Sequence, residues 1–307
     1  MSKYPSNSYI IFLRRDGGRH IVGYGLMSYI ALLLSHGVGC NFAPKENRNA
    51  CHRMMQFMAR HVASKLMAAV RDKAANQAKE LCASGQCAAA LEKASLAISL
   101  GDSPSLALKA WLHIRGREGV AKDEDTAFAL AEEGARLGCH HCQGVLAYCN
   151  WRGFGIRRDD ARSLELARKS SGRGSRYGQY TLGDLHYWGR GGLAEDEAQA
   201  VAFYRLAAAQ GLDEAQYELG IMYYNGVGVV LDDAEALRWH QIAAAQGYPE
   251  AFFSVAVNHE GNDVDNVGDA TVEAIRWYRR AQAAGDSSAA EELQRLKKKL
   301  LRKYYVW

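Results

Sequence analysis

The chain has 307 residues, of which 48% are hydrophobic and 23% are charged, as is usual for a soluble globular protein. This composition excludes a wholly disordered chain, a collagen and a polytopic membrane protein. The net charge is +4, but the charges are unevenly distributed along the chain. Residues 1–100 carry +8, residues 101–285 carry −7 and residues 286–307 carry +3. The chain therefore has an acidic body and basic ends.

The first 70 residues are basic and do not repeat, so we predict a separate N-terminal segment over residues 1–70. Residues 21–43 contain no Asp, Glu, Lys or Arg and approach the length of a membrane span, although glycines, tyrosines and a histidine dilute them. Three interpretations stay open: a packed or irregular segment, a targeting segment, or a single membrane anchor. The expected location is correspondingly cytoplasmic, or N-terminally targeted or anchored to a membrane or organelle.

Residues 71–100 are predicted to form one degenerate helix pair. The first helix closes at Ser84-Gly85-Gln86, where glycine permits a left-handed cap, and the second runs from Ala88 to Leu100. This pair would pack against the regular repeats that follow it.

A period of about 36 residues governs the chain after this pair. Glycines recur at intervals of 36 to 38 residues, namely Gly101, Gly138, Gly174, Gly211, Gly247 and Gly285. We predict two helices between successive glycines, which divides residues 101–285 into five units. The units are 101–137, 138–173, 174–210, 211–246 and 247–284.

The unit from Gly211 shows the expected pair of helices most plainly. Ala215, Leu219 and Tyr223 form an apolar stripe at helical spacing, and Asp232-Asp233 opens the second helix with N-capping side chains. A small residue recurs in the second helix eleven positions before each repeat glycine: Ala127, Ser163, Ala200, Ala236 and Ala274. No pair can bury its apolar face alone, so the pairs must stack into an all-α, α/α solenoid.

This pattern resembles the Sel-one-like repeat (SLR) family, which is related to the tetratricopeptide repeats. The unit from Gly211 matches the family pattern at thirteen positions: Ala215, Leu219, Gly220, Tyr223, Gly226, Gly228, Val229, Asp232, Ala236, Trp239, Ala243, Ala244 and Gly247. The resemblance spans the five units and implies a right-handed superhelix of helix-turn-helix repeats.

Two units depart from the family pattern. The first carries Ala110-Trp111 where Leu-Gly is expected, and the fifth carries Glu260-Gly261-Asn262-Asp263 in place of the paired glycines. We expect distortion in these two stacks.

A single helix is predicted from Ser287 to Lys303, within a C-terminal region of residues 286–307 that holds a capping helix and a tail. Leu293, Leu296 and Leu300 give the helix one apolar face, and basic residues cover the rest. We interpret it as the cap of the solenoid, in preference to a site for nucleic acid or anionic lipid.

Seven cysteines are present, and Cys139-His140-His141-Cys142 is the one local cluster that could suggest zinc. The cluster lacks a second CxxC, and Cys142 takes the small-residue position that Ala215 occupies in a later unit. We therefore favour packed cysteines and expect no metal.

Motifs of catalysis and cofactor binding are missing from the sequence: HExxH, GxSxG, the Walker A loop, GxGxxG, SxxK and KTG. The acid pairs Asp159-Asp160, Glu195-Asp196 and Asp232-Asp233 recur at predicted helix starts, which favours capping over catalytic dyads. We expect neither enzymatic activity nor a cofactor.

The thirteenth position after the repeat glycine carries an aromatic residue in three units: Trp151, Tyr187 and Tyr224. Our hypothesis is that these three side chains line a concave groove and hold an extended peptide, because aromatic residues dominate interface hot spots. The alternative is that they pack between repeats. Position six, which carries Tyr180, Tyr217 and Phe253, is expected to pack between repeats.

The family resemblance implies a non-enzymatic scaffold or adaptor that binds a protein or peptide partner. Two alternatives follow from parts of the family: a weak hydrolase of β-lactamase type, and a membrane-tethered adaptor in endoplasmic-reticulum protein degradation. The charge distribution does not argue for a nucleic-acid partner, membrane association would depend on residues 21–43, and the oligomeric state stays open.

Overall fold

A computed structural model describes residues 48–117, 119–261 and 269–304. The chain divides into two compact units, Met1–Arg71 and Asp72–Trp307. All regular elements in the described residues are α-helices. Residues 21–43, for which targeting and anchoring were considered, lie outside the described residues. Within the described ranges, no helix has the length and apolar character that crossing a membrane requires.

The first helix, α1, spans Arg48–Ala83, so the boundary predicted after residue 70 falls inside a helix, close to the division between the two compact units. It is followed by α2, Cys87–Ser99. The first helices of the five repeat units are α3 Ser103–Arg115, α5 His140–Arg152, α7 Arg176–Tyr187, α9 Asp213–Asn225 and α11 Pro249–Gly261. The second helices are α4 Glu124–Arg136, α6 Asp160–Ser171, α8 Glu197–Ala209, α10 Asp233–Ala245 and α12 Asp269–Ala283, and the last helix is α13 Ser288–Tyr304.

Aspartates cap four of the second helices. Each lies in extended backbone, and its side chain accepts a hydrogen bond from the backbone N–H three residues later at 2.9–3.0 Å. The four residues are Asp123, Asp159, Asp196 and Asp232. The interpretation of the acid pairs as helix caps is therefore confirmed.

The six repeat glycines all adopt positive φ, between +77° and +99°. A side chain is disfavoured in this left-handed region, so glycine lets each helix pair end in a tight turn into the next pair. This explains the regular glycine interval in the sequence.

The small residues of the second helices are fully buried where neighbouring helices meet. All five have an exposed fraction of 0%: Ala127, Ser163, Ala200, Ala236 and Ala274. Gly183 shows how close this packing is, because a Cβ atom at that position would lie 2.4 Å from the Tyr204 ring. Neighbouring helices thus interlock through small residues, as the sequence register predicted.

Consecutive helices pack against one another along the repeat array, and the additional contacts join first helices, α3 with α5 and α5 with α7. The array therefore curves with the first helices on its inner face. At the far end, Leu293 and Leu296 of α13 are buried against Ala274, Ile275 and Tyr278 of α12. The predicted capping helix thus covers the apolar face of the last pair.

Candidate functional site

The inner face of the solenoid is closed between the first and fourth units by ion pairs. Arg115, at the end of α3, binds the carboxylate of Asp213, and its Nε approaches Glu214 Oε1 at 3.1 Å. Arg117 Nη1 reaches Asp213 Oδ2 at 3.3 Å, and its guanidinium lies 4.2 Å from the ring centre of Tyr248. Residues about one hundred positions apart are therefore joined across the curve.

Trp111 fills the space beside these charges. Its Nε1 donates a hydrogen bond to Glu214 Oε1 at 3.1 Å, and its ring centre lies 4.9 Å from Tyr148 and 4.8 Å from Tyr177. Tyr180 meets the ring edge-on at 6.1 Å. Trp111, which stands where the family pattern has glycine, therefore fills the inner face of the first unit. Trp111 nevertheless lies within a regular 13-residue helix, α3, so the departure from the family pattern changes the side-chain contacts of this unit.

Burial controls the protonation of the acidic residues in this region. It raises the pKa of Asp184 to about 8, helped by the negative charge of Glu218, while Tyr204 donates a hydrogen bond to Asp184 Oδ1 at 2.7 Å. Burial also raises the pKa of Glu218 to about 7. Burial also favours a raised pKa for Glu214, but the positive charge of Arg115, together with the other groups around Glu214, holds the pKa of Glu214 below its usual range. The inner face therefore contains carboxyl groups that titrate near neutral pH.

Trp151 lies in the apolar core between the second and third units. Its exposed fraction is 7%, it packs with Leu164 and Leu182, and Arg158 lies 4.9 Å from its ring centre. Its ring is not available to a partner in this arrangement, because the neighbouring helix pair covers it. Tyr187 is half-buried against the apolar core of the first four units. Its ring centre lies 5.0 Å from that of the exposed Trp188, in an edge-on arrangement.

Tyr224 is the most accessible of the three candidate aromatic residues, with an exposed fraction of 41%. It borders two adjoining cavities of about 180 and 410 Å³. The smaller is lined by Ile221, Tyr224, His240, Phe253, Ser254, Val257 and Asn258. The larger is lined by Tyr224, Phe253, Val257, Glu260, Gly261, Tyr278, Glu292, Arg295 and Lys299. We call these two cavities together the Tyr224 pocket, and neither Trp151 nor Tyr187 contributes to it.

Polar groups lie beneath the apolar lining of the Tyr224 pocket. His240 Nδ1 and Asn258 Oδ1 share a hydrogen bond of 2.8 Å, while His240 Nε2 and Asn258 Nδ2 are buried without a hydrogen-bond partner in the described chain. Glu260 binds Arg295 at the rim, which connects α11 to the capping helix. The pocket thus combines aromatic walls with hydrogen-bonding groups, the usual composition of a ligand site.

Five stretches of the chain match the family model of the Sel1 repeat: residues 105–139, 140–175, 176–212, 213–248 and 259–286. Together they cover more than half of the chain. The protein belongs to the Sel1 repeat family. Four of the matches start within a few residues of the predicted units, whereas the fifth begins only at His259, in the unit that has lost its paired glycines.

Solved Sel1 repeat structures are similar to this chain. A Sel1 repeat protein of Oxalobacter formigenes is 22% identical, with a TM-score of 0.49 over 71% of this chain and 88% of that protein. A protective antigen of uropathogenic Escherichia coli with an SLR fold is 23% identical, with a TM-score of 0.44 over 68% of this chain and 52% of that protein. None of the curated proteins is significantly similar to the chain. Sel1 repeat proteins are typically non-enzymatic scaffolds for protein interactions.

The cysteines of the second Sel1 repeat are part of its packing. Cys142 is fully buried, and a Cβ atom added to Gly134 would lie 2.1 Å from its sulphur. The thiol of Cys142 and the helix N-terminus lower the pKa of Cys139 to about 6, but Cys139 is itself buried. In the described ranges, no three His, Cys, Asp or Glu side chains converge as metal ligands.

Apart from Tyr224 and Phe253, the lining residues of the Tyr224 pocket were not predicted from the sequence, and Tyr278, Glu260 and Arg295 are examples. Phe253 was predicted to pack between repeats. Its ring centre lies 5.2 Å from that of Tyr278, and the side chain also lines the pocket. The signal for Arg295 was weak because α13 is basic along most of its exposed side.

Proposed function

We propose that this Sel1 repeat protein is a non-enzymatic scaffold that binds an extended segment of a partner protein in the Tyr224 pocket. The observation that carries the proposal is the 41% exposure of the Tyr224 ring at the junction of two cavities. Large aromatic side chains that stay accessible beside a concave surface are favoured anchors for protein partners.

The closed inner face supports this location. Between the first and fourth repeats, Trp111, Arg115 and Glu214 occupy the space that a bound peptide would need. A peptide therefore meets open inner surface beyond that closure, where α9, α11 and α13 surround Tyr224. The binding surface then belongs to the last two repeats and the capping helix.

The chemistry of the pocket suits a peptide with alternating apolar and polar groups. Phe253 and Val257 offer apolar contact. Lys299 brings positive charge to the rim, where Arg295 is paired with Glu260 and Glu292.

The two other aromatic residues have different roles in this proposal. Trp151 stabilises the packing of the second and third repeats. Tyr187 packs against the buried core, and its ring contacts that of the exposed Trp188 outside the Tyr224 pocket.

The proposal is tested by selecting binding peptides from a displayed library on the full chain and measuring their affinity by fluorescence anisotropy. Replacing a binding hot spot by alanine typically costs at least 2 kcal/mol, so Tyr224→Ala should weaken binding by about thirtyfold. Its melting temperature should stay close to that of the wild type, because Tyr224 is 41% exposed and is not part of the buried core.

The matched control is Leu231→Ala, since Leu231 is 58% exposed and lies outside the Tyr224 pocket. Its affinity for the selected peptides should equal that of the wild type. Selection of no peptide, or of peptides that bind Tyr224→Ala as tightly as the wild type, contradicts the proposal.

A further inference from the structure

Another cavity, of about 200 Å³, lies where α1, α3, α5 and α7 approach one another. It shares no lining residue with the Tyr224 pocket. Its lining residues are Lys79, Pro104, Leu108, His141, Arg176, Tyr177 and Gln210. Three of these side chains carry or accept positive charge, and none is acidic. We call this cavity the cationic pocket.

Arg176 is the central cation of this pocket. Its guanidinium donates to the Gln210 carbonyl oxygen at 3.3 Å and to the Tyr177 hydroxyl at 2.9 Å, and it lies 4.9 Å from the centre of the Tyr177 ring. In the described chain no carboxylate lies within ion-pair distance of it, unlike Arg115 and its two acidic partners. A half-buried guanidinium without an anion is unusual, since removal from water is normally compensated by opposite charge.

Lys79 and His141 add two more groups without an anionic partner. Lys79 is exposed at the edge of the pocket and forms no ion pair in the described ranges, while His141 Nδ1 is buried and has no hydrogen-bond partner there. Burial, together with the charges of His140, Arg176 and Lys79, lowers the pKa of His141 to about 4. The groups around the cavity therefore repel one another.

An acidic residue near these cations, Asp213, is already ion-paired with other arginines. Asp213 acts on Arg176 at longer range, but its carboxylate is bound by Arg115 and Arg117. Pro104 and Leu108 add apolar side chains to the lining of the pocket. An anion bound there would gain from the low local polarity.

We propose that the cationic pocket binds a small oxyanion, the carboxylate or phosphate group of a ligand. The planar guanidinium of Arg176 would engage two oxygens with its remaining N–H donors, since Arg favours bidentate binding of such groups. The neutral imidazole of His141 would donate a further hydrogen bond in the tautomer that is protonated at Nδ1. Lys79 would supply long-range attraction at the opening.

The experiment is isothermal titration calorimetry of the full chain with inorganic phosphate and with acetate, at constant ionic strength set by chloride. We expect saturable binding of at least one of these probes. Arg176→Gln should weaken it by about tenfold or more, because hydrogen bonds to a charged group typically contribute at least that much.

Arg173→Gln is the matched control, since Arg173 is exposed, donates to the Gly138 carbonyl oxygen at 3.2 Å and does not line the pocket. It should bind the probe like the wild type. Because Arg176→Gln could also disturb the fold, Lys79→Gln provides a second variant at an exposed position, and it should lower affinity without lowering the melting temperature.

The source of the anion is distinguished by a third probe, an acetylated tripeptide with a free or an amidated C-terminus. Binding of phosphate or acetate alone supports a free anion, and binding of only the free-acid peptide supports a carboxylate carried by a peptide. The proposal is overturned if none of the probes binds, or if Arg176→Gln and Lys79→Gln bind as tightly as the wild type.

Discussion

Trp111 of the first Sel1 repeat donates a hydrogen bond to Glu214 of the fourth repeat, over a distance of 3.1 Å between Nε1 and Oε1. Repeat proteins are usually described by contacts between neighbours, and this contact skips two complete repeats. It makes the first four repeats one closed body. The inner face is therefore closed over the first four repeats.

Trp111→Phe should destabilise the protein because it removes this hydrogen bond and leaves buried Glu214 with one donor fewer. We expect a loss of about 1–3 kcal/mol in the free energy of unfolding, measured by urea denaturation. Trp188→Phe is the control, since Trp188 is 52% exposed, and it should change stability by less than about 0.5 kcal/mol. Equal stabilities of the two variants would show that the closure is energetically unimportant.

Arg115→Met should be more costly, because Asp213 and Glu214 then lose a buried counter-charge. The side chains of Arg115 and Asp213 are 6% and 3% exposed, and breaking a buried pair typically costs about 3–5 kcal/mol. Adding Asp213→Asn should restore part of that stability, which a double-mutant cycle measures. At the exposed pair Arg162–Glu165, Arg162→Met should cost about 1 kcal/mol or less. A similar loss at both arginines would contradict the closure.

The contribution of Asp184 to stability should fall as pH rises from about 4 to about 8, because burial raises the pKa of Asp184 to about 8. Over that range the folded protein keeps a proton that the unfolded chain has released, so raising the pH favours unfolding. Asp184→Asn keeps an acceptor for Tyr204 and removes this contribution. Thermal melts at pH 5 and pH 8 should therefore show a smaller loss for the variant than for the wild type.

Asp233→Asn serves as the control for that pH series because Asp233 is exposed in the first turn of α10. Its change in melting temperature between pH 5 and pH 8 should equal that of the wild type. If Asp184→Asn and Asp233→Asn respond alike, Asp184 does not hold a proton in the folded state.

Gly183→Ala should destabilise the third repeat, because the new Cβ atom would lie 2.4–2.5 Å from atoms of the Tyr204 ring. Overpacking of this kind typically costs about 1–3 kcal/mol. Gly172→Ala is the matched control, since its φ is −60° and the nearest atom to a new Cβ atom is 3.4 Å away. Chemical denaturation should show no loss for Gly172→Ala, and an equal loss in both variants would contradict the packing described.

The repeat architecture was predictable because its signals are local. Positive φ at Gly211 and Gly247 requires glycine, and the cap at Asp232 requires a short acceptor side chain. The start of α1 was not predicted, although residues 48–70 contain neither Gly nor Pro, because the predicted boundary followed the start of the repeat-like sequence at residue 71. Gly85 is the first glycine or proline after Arg48.

The closure of the inner face could not be predicted in the same way. Arg115 and Asp213 are 98 residues apart, and their contact depends on small rotations that accumulate over several repeats. The same curvature decides which aromatic residues stay accessible. Trp151 and Tyr224 share a position in the repeat, yet one is buried and the other is exposed.

The most direct test of the central claim is to map a selected peptide on the full chain by NMR chemical-shift perturbation. We predict that the largest changes occur at Ile221, Tyr224, Phe253 and Tyr278, and that they disappear in Tyr224→Ala. Changes confined to the outer helices α4, α6 and α8, with Tyr224 unaffected, would contradict the account.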